Sequence, residues 1–358
     1  MVPRYVIPVT TIQLFTEECD ERSPVDDSTM SPLLQVRDLT VDIGAETISN
    51  KLLDGVSFEL GAGEVTGLVG ESGSGKTLTG LALLGLLPRT ATVNGSIRFE
   101  ERELVGLPAA ELRKIRGRDV SMVFQDPSSA LNPSVSIGRQ IVDVLKAHRD
   151  ITKADAEDVA TDLLHQVGLA DPNRTLKSYG YELSGGMCQR VMIAMALACG
   201  PKLLIADEPT TALDVTIQAQ IVDLLRELAE QRDLAVLLIS HDLAVVAEVA
   251  DRVVTMFRGE IVDVAPRDAL LRRPAHPYTF SLLEAARSTF EDISYRSPKF
   301  RGDFTTSARA DGVGCRYVAR CNYSEERCAS DHPLLIGSPE SATRCHRSSE
   351  LQLLGLVS

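Results

Sequence analysis

Three absences narrow the classes of protein that this sequence can encode. No uninterrupted apolar run approaches about 18 residues, the length at which a segment becomes a candidate membrane-spanning helix. Residues 1–30 are acidic and polar and contain no apolar stretch of the kind found in a secretory signal. Basic residues number 37 against 50 acidic ones, and the resulting net charge of −13 argues against nucleic acid as a main partner. The composition therefore predicts a soluble subunit, long enough for two lobes and an appendage.

A glycine-rich octapeptide at residues 70–77 reads G-E-S-G-S-G-K-T. The apolar residues 64–69 before it predict a strand, and residues 78–84 after it predict a helix, which is the context that a phosphate-binding loop requires. The glycines allow successive backbone N–H groups to point at one anion at the helix N-terminus. Lys76 can then reach the β- and γ-phosphates, and the Thr77 hydroxyl can ligate Mg²⁺.

The octapeptide therefore predicts a nucleoside-triphosphate site, and the alternative is a glycine-rich turn with an unrelated lysine. The predicted ATP-binding residues are Gly70, Glu71, Ser72, Gly73, Ser74, Gly75, Lys76 and Thr77.

A second apolar run, residues 203–206, ends in two carboxylates, Asp207 and Glu208. A buried parallel strand ends in this way at the ligand-binding edge of an α/β sheet. Asp207 suits the Mg²⁺ shell, directly or through water, and Glu208 is placed to accept a proton from the water that attacks the γ-phosphate. The alternative is an acidic pair at a helix N-terminus near Pro209, which the upstream phosphate loop disfavours.

Between these motifs, residues 182–190 read E-L-S-G-G-M-C-Q-R, and an alanine-rich helical run follows at 191–198. Ser184, Gly185 and Gly186 can present a hydroxyl and backbone N–H groups at a helix N-terminus, which is a second anion site. Alone, L-S-G-G is equally typical of an ordinary glycine turn. In this order, the three motifs resemble those of the ATP-binding subunits of ABC transporters, over about residues 33–264.

The resemblance implies an α/β fold: a P-loop NTPase core with a mixed sheet and flanking helices, an α-helical lobe, an antiparallel β part and a small cysteine-rich C-terminal appendage. It further implies that two subunits pack head to tail, so that Ser184, Gly185 and Gly186 of each close over the ATP held by the other. ATP and Mg²⁺ are the implied cofactors.

The resemblance also assigns roles to residues outside these motifs. Gln125, at the end of the strand predicted for 120–125, would touch Mg²⁺ and sense the helical lobe. His241, after the strand predicted for 235–240, would hydrogen-bond the γ-phosphate, although a lone histidine is more often a surface residue. Asp214 would lie in the loop that crosses to the partner subunit. Glu208, His241 and Gln125 are the predicted catalytic residues.

Two departures from the family pattern concern residues 182–190, called the signature below, and the contact with the adenine ring of ATP. Met187 stands where glutamine is common, and Cys188 replaces the usual basic residue. The loop near Asn50 lacks the aromatic that many relatives stack on adenine, a contact worth about 1–3 kcal/mol in nucleic-acid systems. Neither change removes a phosphate or metal contact.

A narrower resemblance points to the oligopeptide/dipeptide importer branch. It is carried by residues 273–283, R-P-A-H-P-Y-T-F-S-L-L, and residues 207–218, D-E-P-T-T-A-L-D-V-T-I-Q. Physically, His276-Pro277 predicts a turn before a C-terminal helix, and we interpret it as a family label rather than as chemistry. The implied protein is an importer motor, peripheral at the cytoplasmic face of the cell membrane.

The same resemblance implies the partners. They are a second ATPase subunit, identical or a sister, two transmembrane permease subunits and a separate substrate-binding protein. Peptides are the default substrate, and close relatives carry sugars or nickel. A soluble ABC-type ATPase of repair or translation is the alternative, but such proteins usually have two ATPase cores or a long coiled-coil insertion, and this sequence has neither.

Four of the seven cysteines, Cys315, Cys321, Cys328 and Cys345, gather near the C-terminus. Four thiolates can hold a [4Fe–4S] cluster or structural Zn²⁺. Zinc sites usually contain closely spaced cysteine pairs, which are missing here, so the wide gaps favour the cluster over zinc. Unligated or disulfide-bonded cysteines are the remaining alternative. We expect the adjacent Arg316, Arg320 and Arg327 to offset the charge of the cluster.

The cysteines lie far along the sequence from Lys76 and Glu208, so a structural or docking role is expected for them, with ATPase chemistry largely retained. The motif order predicts three segments: residues 1–30 as a loose extension or an over-extended start, 31–265 as the ATPase domain with its helical lobe at about 126–190, and 266–358 as the C-terminal extension.

Overall fold

A computed structural model of the protein describes residues 31–45, 48–211, 213–290 and 313–355. The extension predicted at residues 1–30 lies outside these ranges. The strands are β1 (Leu34–Ala45), β2 (Ile48–Leu60), β3 (Val65–Val69), β4 (Ala91–Phe99), β5 (Arg102–Glu103), β6 (Val120–Val123), β7 (Leu203–Asp207), β8 (Ala235–Ser240), β9 (Arg252–Phe257), β10 (Glu260–Pro266), β11 (Ile336–Gly337) and β12 (Ala342–Thr343).

Helices connect the strands and build a separate lobe. They are α1 (Lys76–Leu83), α2 (Ala109–Ile115), α3 (Pro127–Ala130), α4 (Ile137–His148), α5 (Lys153–Gln166), α6 (Pro172–Lys177), α7 (Gly185–Leu197), α8 (Val215–Arg232), α9 (Leu243–Val249), α10 (Arg267–Arg272), α11 (Pro277–Phe290) and α12 (Glu326–Ser330). Short 3₁₀ turns occur at Gly180–Glu182 and Val318–Arg320. No helix of the described ranges is long and apolar enough to cross a membrane.

A mixed sheet of eight strands, in the order β11-β12-β10-β9-β3-β8-β7-β6, forms the centre of the molecule. Its middle, from β9 to β6, is parallel, and every residue of β3, β7 and β8 is buried. Parallel strands covered on both faces have this continuous apolar character. The register sets Val69 beside Ser240 and Asp207 beside Ile239, so the ends of these strands meet at one edge.

A second, antiparallel sheet has the order β2-β1-β4-β5 and packs its apolar residues, with those of α1, against one face of the central sheet. The apolar residues of the helical lobe pack instead with residues of β3, β7 and β8 that face the other side of the central sheet. On α4, Ile137, Ile141 and Leu145 recur every four residues and have no exposed surface. This spacing places them on one face of the helix, towards Ala156 and Ala160 of α5.

The C-terminal region continues the central sheet. Residues of β12 pair antiparallel with Asp263 and Val264 of β10, and β11 pairs with β12. The described residues from Pro32 onwards form one compact unit, so the packing does not break at residue 265. The mixed sheet, the antiparallel part and the helical lobe agree with the predicted fold class.

Candidate nucleotide-binding site

The phosphate loop has the backbone conformation that its glycines permit. Gly70, Gly73 and Gly75 have φ values of 154°, 79° and 108°, in the region that favours glycine. A Cβ on Gly70 would lie 2.2 Å from the Met256 carbonyl oxygen, and one on Gly75 would lie 2.6 Å from Leu53 Cδ2. A side chain at either position would therefore displace the loop from β2 or β9.

Lys76, the first residue of α1, is buried within this loop. Its Nζ donates to the Gly70 carbonyl at 2.7 Å and to the Glu71 carbonyl at 3.1 Å. Burial lowers the pKa of the Lys76 amine, while nearby carboxylates, Glu208 foremost, raise it. Burial therefore disfavours the positive charge of the Lys76 ammonium group. A bound phosphate group would compensate for this loss of hydration.

A second pair of groups lies where β7 ends beside α1. The Thr77 hydroxyl donates to Asp207 Oδ1 at 3.1 Å, and Asp207 is only 2% exposed. Burial raises the pKa of the Asp207 carboxyl to about 6, against the lowering effects of Thr77 and Lys76. A hydroxyl and a carboxylate brought together in this way are hard oxygen ligands of the kind that Mg²⁺ prefers.

Glu208 is the point on which the predicted catalytic residues converge. Its carboxylate accepts from Gln125 Nε2 at 3.0 Å and from the Thr211 hydroxyl at 2.9 Å, and it lies 3.3 Å from His241 Nδ1. Gln125, Glu208 and His241 follow three neighbouring strands, β6, β7 and β8. Glu208 also has a φ of 46°, a conformation that a non-glycine residue adopts at a cost and that is concentrated at functional sites.

The signature lies at the start of α7, where Ser184 is the N-cap. Its hydroxyl oxygen accepts from the Met187 N–H at 3.3 Å, and Ser184 and Gly185 are exposed. Gly186 lies against the start of α8, because a Cβ on it would be 2.9 Å from Ile217 Cγ2. Asp214 caps α8 by accepting from the Ile217 N–H at 3.0 Å. The signature and the predicted crossing loop therefore lie side by side.

The departure at Cys188 has a structural account. Cys188 is buried, and its thiol donates to the Gly180 carbonyl at 3.4 Å. Burial also raises the pKa of this thiol. Cys188 therefore packs inside the lobe rather than facing a nucleotide.

The four C-terminal cysteines line one small cavity that is partly open to solvent. Burial raises the pKa of Cys315 and of Cys321 to about 11, and that of Cys345 as well. The neighbouring backbone N–H groups of Tyr317, Tyr323 and Arg347 oppose this rise in pKa, but burial outweighs them.

A single metal ion does not fit this arrangement as it stands. Within the described part of the chain, no group of three or more His, Cys, Asp or Glu side chains could hold a metal ion. Four sulfurs around one zinc would each need to lie about 2.3 Å from it. The cysteines of the cavity do not form such a ligand set as they stand in the described part of the chain.

The arginines beside the cysteines correct two expectations. Arg316 pairs with Asp54 and, at 3.0 Å, with Glu260, while Arg320 pairs with Glu71 at 2.9 Å. These two charges therefore compensate carboxylates of the ATPase core and are not reserved for a cluster. The distance expected along the sequence does not hold in space, because Arg320, next to Cys321, contacts Glu71 of the phosphate loop although 249 residues separate the two.

The sequence interpretation missed Tyr278, which contacts Glu71. Tyr278 has no exposed surface, and its hydroxyl oxygen accepts the Glu71 N–H at 2.8 Å. His276 does precede a helix, as predicted, and Pro277 begins it, but the motif also places the Tyr278 phenol against the phosphate loop. We interpreted His-Pro-Tyr only as a family label. The tyrosine of this motif was the signal that could have pointed to the contact with Glu71.

Comparisons with known proteins agree with these motifs. Residues 53–211 match the family model described as ABC transporter, and residues 262–328 match that described as the oligopeptide/dipeptide transporter, C-terminal region. A probable peptide ABC transporter ATP-binding protein of Sinorhizobium fredii is 44% identical over 322 residues, 89% of this chain and 96% of the relative. The dipeptide transport ATP-binding protein DppD of Haemophilus influenzae is 44% identical over 316 residues, 88% of this chain and 95% of that protein.

A solved structure shares the core. It is a dimeric ATP-binding cassette in a post-hydrolysis state, bound to ADP and Pi, with a TM-score of 0.59 and 26% identity. The match covers 65% of this chain and 98% of the cassette. The remaining third of this chain therefore has no counterpart in that cassette.

Proposed function

This chain belongs to the ATP-binding proteins of ABC transporters, in the oligopeptide/dipeptide branch, and we propose that it is the ATP-hydrolysing motor subunit of a membrane importer for di- or oligopeptides. The observation that carries the proposal is the convergence of Gln125, Thr211 and His241 on Glu208, beside the Thr77–Asp207 pair. These groups surround the place where a γ-phosphate would lie above Lys76.

The residues at this edge divide the work of hydrolysis. The loop N–H groups and Lys76 bind the phosphates, while Thr77, Asp207 and Gln125 would hold Mg²⁺. When bound, Mg²⁺ supplies neutralisation of the developing phosphate charge. Glu208 accepts the proton of the attacking water, and Gln125 and His241 hold the carboxylate and the γ-phosphate in line.

The site is completed by a second subunit. Ser184 and Gly185 are exposed at a helix N-terminus, which is suited to bind the γ-phosphate of a partner's ATP. Asp214 lies beside them and would cross the same interface. Closure on ATP and reopening after hydrolysis would then drive two permease subunits at the cytoplasmic face of the membrane, with a separate binding protein choosing the substrate.

We also propose that Cys315, Cys321, Cys328 and Cys345 hold a [4Fe–4S] cluster. The proposal is supported by the single cavity that all four cysteines line. Four cysteine thiolates are the ligand set of such a cluster. Zinc is the alternative, and it takes the same four ligands.

Mixed-subunit kinetics test the composite site. In a homodimer, mixing Ser184→Arg with Lys76→Ala subunits places both lesions in one site and leaves the other intact, so the mixture should regain Mg²⁺-dependent ATPase activity that neither variant has. If the partner is a sister ATPase, the chain should hydrolyse little ATP alone and gain activity in its native complex. Full activity in a strictly monomeric preparation would contradict the proposal.

The substrate is tested in that native complex. Transport of a radiolabelled dipeptide that depends on ATP and is lost in Glu208→Gln would support a peptide importer. Identification of a sugar or nickel on the co-purified binding protein would contradict the peptide assignment while leaving the motor function in place.

A further inference from the structure

The peptide group between Gly70 and Glu71 is held at both ends. Its N–H, on Glu71, donates to Tyr278 Oη at 2.8 Å, and its carbonyl, on Gly70, accepts from Lys76 Nζ at 2.7 Å. The N–H and the C=O of a trans peptide point in opposite directions. Tyr278 and Lys76 therefore fix the orientation of this peptide plane from opposite sides.

The side chain of Glu71 is held by Arg320, which like Tyr278 belongs to the C-terminal region. Arg320 Nη1 donates to both carboxylate oxygens of Glu71, at 3.0 Å and 2.9 Å. The Arg320 guanidinium in turn lies over the rings of Phe257 and Tyr317, 5.6 Å and 5.7 Å from their centroids. These stacking contacts restrict the arginine, so it can act as a fixed support.

Tyr278 is itself placed by the His-Pro-Tyr motif. The buried carboxylate of Asp263 accepts the His276 N–H at 3.2 Å, and His276 Nδ1 accepts the Tyr278 N–H at 3.0 Å. The Tyr278 ring packs against Phe257 and Tyr317, with centroids 4.6 Å and 5.4 Å away. The phenol therefore has little freedom to leave the loop.

We propose that Tyr278 and Arg320 are positioning residues for the phosphate loop: they hold the backbone and the carboxylate of Glu71, and the C-terminal region thereby sets the nucleotide affinity of the site. This inference rests on the proposed ATP-binding function. With the peptide plane fixed, Lys76 and the loop N–H groups reach phosphate without first reorganising, and such preorganisation raises affinity.

The test is the Kd for Mg-ATP, measured by calorimetry on the full chain. Tyr278→Phe removes one hydroxyl and should weaken binding about three- to tenfold, the effect of losing one hydrogen bond. Tyr317→Phe is the matched control, because that phenol lies in the same aromatic cluster but donates to Ser281 instead, at 3.3 Å. Its Kd should equal that of the wild type.

Arg320 is tested in the same way. Arg320→Gln should weaken Mg-ATP binding about two- to fivefold, as should Glu71→Gln, and the double variant should be no weaker than the single ones. Arg327→Gln is the control, because Arg327 also precedes a cysteine but contacts His346. Additive losses in the double variant would contradict the Arg320–Glu71 contact as the cause.

A purely structural effect is distinguishable from positioning. The KM for ATP should rise while kcat at saturation is retained, because Glu208 and His241 are untouched. Tyr278→Phe and Arg320→Gln proteins that bind Mg-ATP as tightly as the wild type would overturn the inference. Failure of the wild-type chain to bind Mg-ATP would instead refute the proposed function. If Tyr278→Phe does not fold, the Arg320 series decides.

Discussion

The nucleotide site and the cysteine site are built in different ways. The nucleotide site stands on the ends of β3, β7 and β8, whose residues are all buried. The cysteine site is held by a 3₁₀ turn, a five-residue helix and two-residue strands. The first is therefore built on long buried strands, whereas the second has only short elements of its own and relies on packing against the core.

The two regions nevertheless share a contact. Tyr317 lines the cysteine cavity and supports Arg320, which holds Glu71 of the phosphate loop. Glu260 and Asp54, both in the core, pair with Arg316 of the same segment. The comparison teaches that the described part of the appendage is joined to the phosphate loop, because Tyr278 and Arg320 both contact Glu71.

The largest effect is expected inside the nucleotide site. Glu208→Gln should lower kcat by about 10²–10⁴, because a proton acceptor is lost, and should keep Mg-ATP binding. The variant should accumulate as an ATP-bound dimer, observable by light scattering. Glu230→Gln, an exposed change on α8, is the control. Hydrolysis at the wild-type rate by Glu208→Gln would exclude Glu208 as the base.

Lys76→Ala should strongly weaken Mg-ATP binding. It removes a buried charge from the phosphates, and hydrogen bonds to charged groups contribute about 1.5–3 kcal/mol each, so the loss should be about tenfold to a hundredfold or more. The check is calorimetry with Mg-ATP, with the exposed Lys202→Ala as control. Unchanged binding would place the nucleotide elsewhere.

Cys321→Ser should affect both regions. Protein prepared anaerobically should be brown, absorb near about 400 nm and contain about four irons per chain, and the substitution should remove this colour. Because Cys321 follows Arg320, Mg-ATP affinity should also fall by a few-fold, while ATPase chemistry is largely retained, as the sequence leads us to expect.

Cys199→Ser, a buried thiol far from the cavity, should leave iron and affinity unchanged. Colourless wild-type protein with one zinc per chain would favour zinc, and protein with neither metal would exclude both.

The nucleotide site was predictable because its parts lie in short motifs. Each of Lys76, Asp207 and Glu208 follows a buried apolar strand, and parallel strands end at one edge, so their meeting could be inferred from order alone. The contacts of Glu71 could not be inferred from the sequence, because 207 residues separate it from Tyr278 and 249 residues separate it from Arg320. Such pairings depend on how β12 and α11 pack on β10, which no local pattern specifies.

The smallest effect concerns pH. Burial lowers the pKa of His276 to about 3, so folding requires the neutral imidazole. As the pH falls below the ordinary value of 6.5, the unfolded chain binds a proton that the folded one does not, and stability is lost. The free energy of unfolding of the wild type exceeds that of His276→Asn by an amount that should therefore decrease by about 2 kcal/mol between about pH 7.5 and pH 5.

Urea unfolding at both pH values measures this difference. Asp263, whose pKa burial raises to about 6, titrates in the opposite sense, but it accepts the backbone N–H of residue 276 in both proteins, so most of its contribution is common to them. The exposed His165→Asn is the control. A constant difference between wild type and His276→Asn would show that His276 takes up protons in the folded state.

Hydrogen–deuterium exchange tests the link between the two regions most directly. Because coupling between sites is reciprocal, Mg-ATP bound to Glu208→Gln protein should slow exchange in residues 70–77 and also in 277–283 and 317–323. Adding Tyr278→Phe should remove much of the distant protection while that of 70–77 persists at saturating ATP. Protection confined to 70–77 and the strands around it, with 277–283 and 317–323 unchanged, would contradict the account.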